Sequence, residues 1–339
     1  MSQLVSILIP AYNAEYWIRD TIVSAINQTW PKKEIIVVDD GSRDQTLSIA
    51  RQLASKEVSV VTQPNQGAAA ARNHAFSICQ GDYIQWLDAD DLLAPNKIAR
   101  QLKALDQGVS KRTLLSSAWG RFMYRPHRAS FVPTALWCDL SPVEWLLYKM
   151  GQNIWMQTAT WLVSRELTEA AGPWNTQLLG DDDGEYFCRI LLASNGTRFI
   201  PEAKVFYRLP GPNNLSYVGR SDRKMEALFH SMQLHIGYLQ SLEDSERVRE
   251  AGVKFLQAAL PYFYPERLDI VKQAEQLAAA LGGRLEVPPP LSWKYVYIQK
   301  GFGWPLAKRA QIFLPGCKRS MIRFLDQSLS RFDRRSLTD

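Results

Sequence analysis

The sequence predicts an α/β protein, with an open and mostly parallel sheet flanked by helices and a helical C-terminal extension. Strand and helix patterns alternate through the first hundred residues with short connections, which is typical of a parallel sheet covered on both faces. From residue 222 to about residue 282, helical spacing of apolar residues dominates instead. At 339 residues the chain is long enough for one large domain and an appendage.

Four strands are predicted in the first ninety residues. The run "VSILIP" is rich in β-branched residues and is ended by Pro10 and the turn-prone Asn13. The run "KEIIVVDDGS" is apolar on both faces, as expected of a parallel strand that is covered on each side. The third and fourth strands are "VSVVTQ" and "DYIQWLD".

Helices are predicted between these strands, and one of them is expected to begin at a capping box formed by Ser42 and Gln45. The pattern weakens between Arg112 and Val163, a stretch with many tryptophans. The later segments are a helix in "SRELTEAAG", a helix in "GDDDGEYFCRILLASNG", a strand or strand pair in "RFIPEAKVFYRL", a loop in "PGPNNLS" and a linker in "VPPPL".

The net charge of +6 is concentrated at the C-terminus. Residues 294–339 contain ten Lys or Arg against three Asp, so the other 293 residues carry a charge of about −1. The four cysteines lie far apart and the four histidines lack zinc-binding spacing, which predicts reduced thiols in a cytoplasmic protein. The N-terminus does not resemble a signal peptide, and no apolar window approaches the roughly 20 residues of a membrane-spanning helix.

Polar residues follow three of the predicted strands. They are the segment 10–13, the pair Asp39 and Asp40, and the group Asp88, Asp90 and Asp91. In an open parallel sheet, ligands bind beyond the carboxyl ends of the strands, so these residues predict a binding site at one edge. The alternative is that strand ends are often polar because they meet turns.

Three carboxylates close together repel each other, and each would tend to take up a proton in a cleft. A divalent cation reverses this effect because it favours the ionised form. Oxygen ligands suit Mg²⁺ or Mn²⁺, which commonly also bind substrate phosphates. Asp88, Asp90 and Asp91 therefore predict a site for a metal ion and a diphosphate.

Four ordered motifs resemble the family 2 glycosyltransferases, which have the nucleotide-sugar-binding GT-A fold. The motifs are "VSILIPAYNAEYWIRDTIVSAINQTW", "EIIVVDDGSRDQT", "NQGAAAARNHAF" and "GDYIQWLDADD". The resemblance is close over the first 100 residues and looser to about residue 216. It implies a glycosyltransferase domain over residues 1–216, with a nucleotide-binding half (1–110) and an acceptor half (111–216). A helical extension (217–286) and a Pro linker with a basic amphipathic tail (287–339) would follow.

The resemblance also implies an activity. The protein would be a metal-dependent inverting glycosyltransferase that moves a sugar from a nucleotide-diphosphate donor to a glycan or lipid-linked acceptor. UDP-sugars are the favoured donors, Mn²⁺ or Mg²⁺ the cofactor, and cell-surface polysaccharide synthesis the favoured process.

The resemblance assigns roles to the residues at the strand ends. Tyr12, between Pro10 and Asn13 of the nucleotide-binding loop, would stack on the base. Asp40 would accept a hydrogen bond from the base with Asp39 beside it, and Arg72 would face the phosphates or the base. Asp88 and Asp90 would form the Asp-x-Asp motif that contacts ribose and metal, and Asp91 would share this work. Stacking plus a carboxylate acceptor is a physically reasonable way to recognise a base that carries an N–H.

The family places its catalytic base in an acidic pair six residues before an Arg. Arg189 lies six residues after Asp183, so Asp183 is the candidate base and Asp182 its neighbour. The family's usual first residue is Glu, and an aromatic often follows the pair where this chain has Gly184. The run of three Asp leaves open which of the two is the base. An acidic helix N-terminus stabilised by the helix dipole is the structural alternative.

The strand "VFYRL" resembles the family's closing Tyr-Arg strand, after which some relatives supply a His to the metal. Here Leu209 and Pro210 follow, with no His nearby. Acceptor recognition is expected from Ser116–Gln157 and from the loop 213–220. Three tryptophans are candidates for a sugar-stacking platform, with core packing as the alternative for each. They are Trp119, Trp155 and Trp161.

The C-terminal tail interleaves aromatic residues with Lys and Arg. Its apolar residues Met321, Phe324, Leu325 and Leu329 recur near helical spacing. This composition suits contact with an anionic membrane surface, which would place the protein peripherally on the inner face of the plasma membrane. A solvated helix packed on its own domain is the alternative, and no motif supports nucleic-acid binding.

Two other functions fit the sequence less well than glycosyl transfer does. A dinucleotide-dependent oxidoreductase would need a Gly-x-Gly-x-x-Gly turn after the first strand, and "IPAYNAEYW" contains no glycine. A non-catalytic nucleotide-sugar-binding or scaffolding protein with the same fold remains the alternative, although the intact carboxylates argue against it.

Overall fold

The computed structural model describes residues 3–209 and 221–335. Strands and helices are numbered here in chain order. The strands of the described residues are β1 (Val5–Ala11), β2 (Lys33–Asp39), β3 (Val58–Thr62), β4 (Tyr83–Trp86), β5 (Leu92–Leu93), β6 (Leu114–Phe122), β7 (Ser130–Phe131), β8 (Val163–Ser164) and β9 (Thr197–Arg208).

The same residues form twelve α-helices, with short 3₁₀ turns at Thr158–Thr160 and elsewhere. They are α1 (Ile18–Ile26), α2 (Thr46–Gln52), α3 (Ala68–Ile78), α4 (Lys97–Lys103), α5 (Pro142–Gln152), α6 (Arg165–Ala171), α7 (Asp182–Ala193), α8 (Asp222–Leu242), α9 (Glu246–Phe263), α10 (Leu268–Ala280), α11 (Val296–Phe302) and α12 (Trp304–Arg335).

The larger sheet has the strand order β3-β2-β1-β4-β8. Strands β1 to β4 run parallel, and β8 pairs antiparallel with β4. Every residue of β1 is buried, because helices cover both faces of this strand. The predicted open, mostly parallel sheet is confirmed.

A smaller sheet has the order β5-β9-β6-β7 and contains the stretch in which the sequence pattern was weak. Strands β6 and β9 are parallel, and their register shifts between Ser117 and Ala118. The segment predicted as a strand or strand pair is the single strand β9. Because only residues 87–91 separate β4 from β5, which pairs with β9, the smaller sheet adjoins the acidic segment 88–91.

The predicted helical extension is also confirmed, since α8, α9 and α10 follow the sheets. Helix α8 packs on α5 and α7, α9 packs on α5, and α10 packs on α9. The division at residues 216/217 and 286/287 stays a proposal, and the first of these boundaries lies outside the described residues. The predicted loop 210–216 and the whole of the expected acceptor loop 213–220 lie outside them too. Within the described parts of the chain, no helix is both long and apolar enough to cross a membrane.

The predicted capping box at the start of α2 is wrong. The helix begins at Thr46, and Gln45 at its N-cap makes no side-chain cap. Asp44 accepts a hydrogen bond from the Thr46 N–H instead, at 2.9 Å. Ser42 is used elsewhere, because its hydroxyl accepts the N–H of Asn13 at 3.0 Å.

Candidate active site

The carboxyl ends of the parallel strands form one edge of the larger sheet, and the predicted site residues lie along it. Ala11 ends β1 and pairs with Asp39, which ends β2. Strand β4 pairs with β1 on its other side, and Asp88 follows β4 by two residues. This register brings Tyr12, Asp39 and Asp88 to neighbouring positions.

The loop after β1 is fixed against the loop after β2 by Asn13. Its backbone has a positive φ of 48°, and its side-chain Oδ1 accepts the N–H of Arg43 at 2.9 Å. Tyr12, one residue earlier, is 41% exposed, whereas Pro10 is buried within β1. Tyr12 therefore leaves part of its surface accessible at this edge, and Pro10 supports the loop from inside the sheet.

Asp40 is buried and its carboxylate organises the segment 63–67. The side chains of Gln63 and Asn65 donate to it at 2.8 and 3.1 Å. The backbone N–H groups of Gln66 and Gly67 donate at 2.9 and 2.8 Å. Four donors occupy its two oxygens, so this geometry does not favour the predicted role of Asp40 as acceptor for a base.

Asp39 differs from its neighbour in one respect that matters for ligand binding. Its Oδ2 accepts the Ser42 N–H at 3.2 Å and the Thr62 hydroxyl at 3.3 Å. Its Oδ1 is buried and has no hydrogen-bond partner among the described residues. A buried carboxylate oxygen without a donor is costly, and a bound N–H group would remove that cost.

Asp88 and Asp90 lie at the end of β4 with their carboxylates open to a ligand. The Asp88 side chain is 30% exposed, and its Oδ1 accepts a hydrogen bond from Arg72 at 2.8 Å. No side chain of the described residues donates a hydrogen bond to the carboxylate of Asp90. Burial, together with repulsion from Asp88, raises the pKa of Asp90 to about 6. A cation at this position would therefore favour the charged form of Asp90.

Asp91 points into the protein and is fully buried. One of its oxygens accepts the backbone N–H of Arg208 at 2.8 Å, and the other accepts the side-chain amide of Gln157. Arg208 in turn donates to the Asp90 backbone carbonyl at 2.8 Å. This placement does not favour the predicted role of Asp91 as a third metal ligand, and it indicates that Asp91 supports the segment that carries Asp90.

Arg72 links the segment after β4 to the start of α7. Its guanidinium donates to Asp88 and to Asp182, at 2.8 Å each, and stacks 4.3 Å from the ring centroid of Trp174. The residue is only 6% exposed. Direct contact with the nucleotide, as predicted from the sequence, is therefore less favoured than a role in holding Asp88 against the start of α7.

Asp182 and Asp183 begin α7, as the sequence predicted. Burial raises the pKa of Asp182 to about 6, although Arg72 favours its charged form. Asp183 accepts the Thr158 hydroxyl at 3.2 Å and the Gly184 N–H at 2.9 Å. Burial and the neighbouring carboxylate of Asp181 raise the pKa of Asp183 as well. Both residues therefore hold a proton more readily than an exposed carboxylate does.

Asp181, the residue before α7, is held by the helical extension. Its backbone has a positive φ of 56°, and its Oδ2 accepts the Ser231 hydroxyl at 2.7 Å. Nδ1 of the buried His235 lies 3.7 Å from the same oxygen. A Cβ at Gly184 would lie 2.0 Å from Asp181 Oδ1. This contact explains why the chain has glycine where the family often has an aromatic residue.

A buried polar network lies beneath the 3₁₀ turn Thr158–Thr160, which carries the Asp183 contact. Gln85 donates to the carbonyl of Ala159 at 2.9 Å, and Gln101 to that of Thr160 at 3.0 Å. The amino group of Lys97 donates to the side-chain oxygen of Gln85 and lies 3.4 Å from the carbonyl of Trp161. Neutral partners surround Lys97, and burial lowers its pKa well below the ordinary value.

Lys97→Met should flatten the dependence of stability on pH. An unfolded lysine titrates near pH 10.4, whereas native Lys97 releases its proton at a lower pH. Between these values the unfolded chain binds more protons, so wild-type stability rises with pH by up to about 1.4 kcal/mol per unit. Denaturant unfolding at pH 8, 9 and 10 would measure this slope. Lys103→Met, an exposed lysine of the same helix, should keep it, and equal slopes in all three proteins would contradict the expectation.

Of the three tryptophans predicted for acceptor binding, Trp161 is fully buried and packs on Trp145, so it belongs to the core. Trp155 is 38% exposed, and its ring centroid lies 4.7 Å from that of the buried Trp119 and 5.7 Å from that of Tyr207. Only Trp155 of the three presents substantial surface for stacking on a sugar.

The donor set at Asp88 and Asp90 fits Mg²⁺ or Mn²⁺. Both are oxygen ligands, and no side chain of the described residues donates a hydrogen bond to the Asp90 carboxylate. Within the described chain no group of three or more His, Cys, Asp or Glu could hold a metal ion. Two carboxylates are still a common protein contribution, because Mg²⁺ keeps waters and binds substrate phosphates.

The structure adds several residues that the sequence did not single out. Thr158 and Gln157 contact the carboxylates of Asp183 and Asp91, and Trp174 stacks under Arg72. Their segments have no periodicity that would identify them. Arg208 was visible only as part of the "VFYRL" strand.

Comparison with known proteins identifies the family of the N-terminal part. Residues 6–142 match the family model described as "Glycosyl transferase family 2". The putative teichuronic acid biosynthesis glycosyltransferase TuaG of Bacillus subtilis is 42% identical over 103 residues, which cover 30% of this chain and 41% of TuaG. The chain spans about two fifths of the length of the curated relatives that it matches first. The resemblance to family 2 is confirmed.

Solved structures have the same fold. S. aureus TarS 1-349 in complex with UDP-GlcNAc aligns with a TM-score of 0.58 and 20% identity, covering 82% of this chain and 88% of TarS. The mannosyltransferase PcManGT from Pyrobaculum calidifontis, in complex with GDP-Man and Mn²⁺, aligns with a TM-score of 0.55 and 20% identity, covering 93% and 85% of the two chains. At this identity the likeness establishes the GT-A fold alone.

Proposed function

Because residues 6–142 belong to glycosyl transferase family 2, we propose that this protein is a metal-dependent, inverting glycosyltransferase. It moves a sugar from a nucleotide-diphosphate donor to a hydroxyl group of a glycan or lipid-linked acceptor in cell-surface polysaccharide synthesis. The observation that carries the proposal is the arrangement at one sheet edge of an exposed tyrosine, a carboxylate oxygen without a hydrogen-bond partner, and Asp90, whose pKa is raised by burial, beside Asp88.

The nucleotide lies along this edge. The ring of Tyr12 stacks on the base, and Oδ1 of Asp39 accepts the base N–H, because the oxygens of Asp40 are already occupied. UDP-sugars are the favoured donors, since uracil has such an N–H and the related fold of TarS is seen with UDP-GlcNAc. The GDP-Man complex of PcManGT shows that a guanine nucleotide also suits this fold.

Asp88 and Asp90 hold the metal ion and the adjoining ribose and diphosphate. When bound, Mn²⁺ or Mg²⁺ would neutralise the charge that develops on the departing nucleoside diphosphate. Arg72 keeps Asp88 aligned with α7 through its two ion pairs. Asp91 positions Asp90 by holding the backbone of Arg208.

Asp183 is the proposed general base. It takes the proton from the acceptor hydroxyl as that oxygen attacks the anomeric carbon. The bond from the anomeric carbon to the diphosphate oxygen breaks, and the nucleoside diphosphate leaves with the electron pair. Asp182 is less suited because Arg72 holds its carboxylate, whereas Asp183 accepts only a hydroxyl and the N–H of its own turn. A raised pKa makes Asp183 a stronger base.

Release of nucleoside diphosphate from a panel of nucleotide sugars, measured with Mn²⁺, tests this function together with the role of Asp39. Wild-type protein should hydrolyse or transfer from at least one donor. Asp39→Asn should bind the matching nucleotide about 10- to 100-fold more weakly, since an amide that satisfies Ser42 turns its NH₂ towards the base.

Asp40→Asn serves as the comparison. It should lower the free energy of unfolding, because the segment 63–67 loses part of its anchor, and it should affect nucleotide affinity less. No release from any donor would count against glycosyl transfer. A larger loss of affinity in Asp40→Asn than in Asp39→Asn would instead restore Asp40 as the acceptor for the base.

A further inference from the structure

The tail helix α12 is anchored to the rest of the protein near both of its ends. Near its start, Trp304 is buried against Tyr264, and the amino group of Lys308 donates to the Tyr264 carbonyl and to Glu266, at 2.6 Å each. Near its end, Asp326 accepts the side chain of Arg125 at 2.7 Å. This helix therefore has a docked face whose position on the protein is fixed.

From Leu314 onward, the side of α12 that faces away from the contacts of Asp326 carries exposed apolar residues. We call it the open face and define it by Leu314, Met321, Phe324 and Leu325. Their spacing of seven, three and one residues places them on one side of an α-helix, away from Arg323 and Asp326, which contact the protein. All four are exposed, Phe324 to 69% and Met321 to 64%.

The segment before α12 has the same character. Trp293, Tyr297 and Phe302 are each at least 74% exposed, and Lys294 and Lys300 beside them are exposed too. Amphipathic aromatics next to lysines are typical of the boundary between lipid acyl chains and headgroups.

The charge of the tail decides between two occupants for the open face. Residues 294–339 carry a net charge of +7. A second copy would bring two such tails together, and their repulsion would oppose association. An anionic lipid surface attracts the same charge, and each basic residue near it contributes roughly 1 kcal/mol.

From this geometry we propose that the open face of α12, with the exposed aromatics of residues 293–302, docks on an anionic membrane surface beside the active site. The proposal rests on the proposed glycosyl transfer only for its consequence, which is that the acceptor is lipid-linked.

The docked face connects the membrane contact to Arg208, which supports the segment of Asp90 and Asp91. Asp326 accepts the backbone N–H of Tyr124 at 2.9 Å, and the Tyr124 ring lies 5.5 Å from the ring of Trp17. The guanidinium of Arg208 lies 4.1 Å from the ring centroid of Trp17. Arg323 donates to the Leu209 carbonyl at 3.2 Å, one residue beyond Arg208. A bilayer under the open face would thus be linked to the active site through these contacts.

Vesicle flotation of the full chain tests the proposal. Wild-type protein should float with phosphatidylglycerol-rich vesicles and remain unbound with phosphatidylcholine vesicles. The double substitution Phe324→Ser and Leu325→Ser should weaken binding to the anionic vesicles by about tenfold or more, since two large side chains no longer leave water. Ile78→Ser, an exposed apolar residue at the amino edge of the sheet, should bind like wild type.

Three results would overturn the membrane contact. Equal binding to both vesicle types would show that the positive charge of the tail does not drive binding. Unchanged binding of the double variant would show that the open face does not contact the membrane. A stable dimer in light scattering that the double substitution converts to monomer would assign the face to a second copy. The double variant should bind UDP and GDP with Mn²⁺ as tightly as wild type does. If wild type bound neither nucleotide, that would count against glycosyl transfer but would not affect the vesicle result.

Discussion

Asp183→Asn is expected to abolish sugar transfer while leaving nucleotide binding intact. The amide keeps the shape of the carboxylate and its contact with Thr158, but it cannot accept the proton of the acceptor hydroxyl. General base catalysis contributes ~10²- to 10⁴-fold, so the rate of product formation should fall by at least about a hundredfold. Single-turnover transfer and equilibrium binding of the donor nucleotide with Mn²⁺ would measure the two properties separately.

Asp182→Asn is the matched comparison, one residue away on the same helix. It removes an ion pair to the buried Arg72 and leaves that cation with Asp88 alone, so its main effect should be a lower free energy of unfolding. Transfer should fall less than in Asp183→Asn. If Asp182→Asn instead eliminates transfer with full nucleotide binding, and Asp183→Asn remains active, the base is Asp182 and the proposed register is shifted by one.

Asp90→Asn is expected to weaken nucleotide binding and to stabilise the protein without metal. Wild type should bind the nucleotide much more tightly in Mn²⁺ than in EDTA, and the variant should lose about tenfold or more of the affinity that Mn²⁺ adds. The structural reason is that no side chain of the described residues donates a hydrogen bond to the Asp90 carboxylate, so a cation would stabilise its charged form.

The stability effect follows from the sign of the pKa shift. Asp90 has a folded pKa of about 6, above that of an unfolded aspartate, so the native state binds the extra proton between roughly pH 4 and 6. Wild-type stability is therefore lost as pH rises through this window. Above it, the amide should be more stable in EDTA by on the order of 1–2 kcal/mol.

Thermal unfolding in EDTA at pH 5 and pH 7.5 would show a larger stabilisation at the higher pH, because the wild-type loss is only partly complete at pH 5. Asp106→Asn, which removes an exposed carboxylate, should change neither stability nor metal-dependent binding. Metal-dependent binding that persists in Asp90→Asn would exclude Asp90 as a ligand.

Much of the fold was predictable because its signals are local. The β-branched runs, the helical spacing between them and the glycine after α6 lie within single elements, and each element formed where expected. The capping box failed because Ser42 is drawn to Asn13, a residue 29 positions earlier, and only the packed sheet brings the two together.

The sequence by itself determined the parallel sheet, the acidic strand ends at its edge and the resemblance of the N-terminal part to family 2, since all three depend on the order of residues along the chain. The tertiary structure decided which contacts each carboxylate makes. Asp39 keeps a free oxygen because the segment 63–67 closes on Asp40 instead. Asp91 turns inward to Gln157, 66 residues away, and Arg72 spans 110 residues to reach Asp182. The charge and pKa of a carboxylate depend on which groups surround it in space, and those groups are set by packing between distant segments.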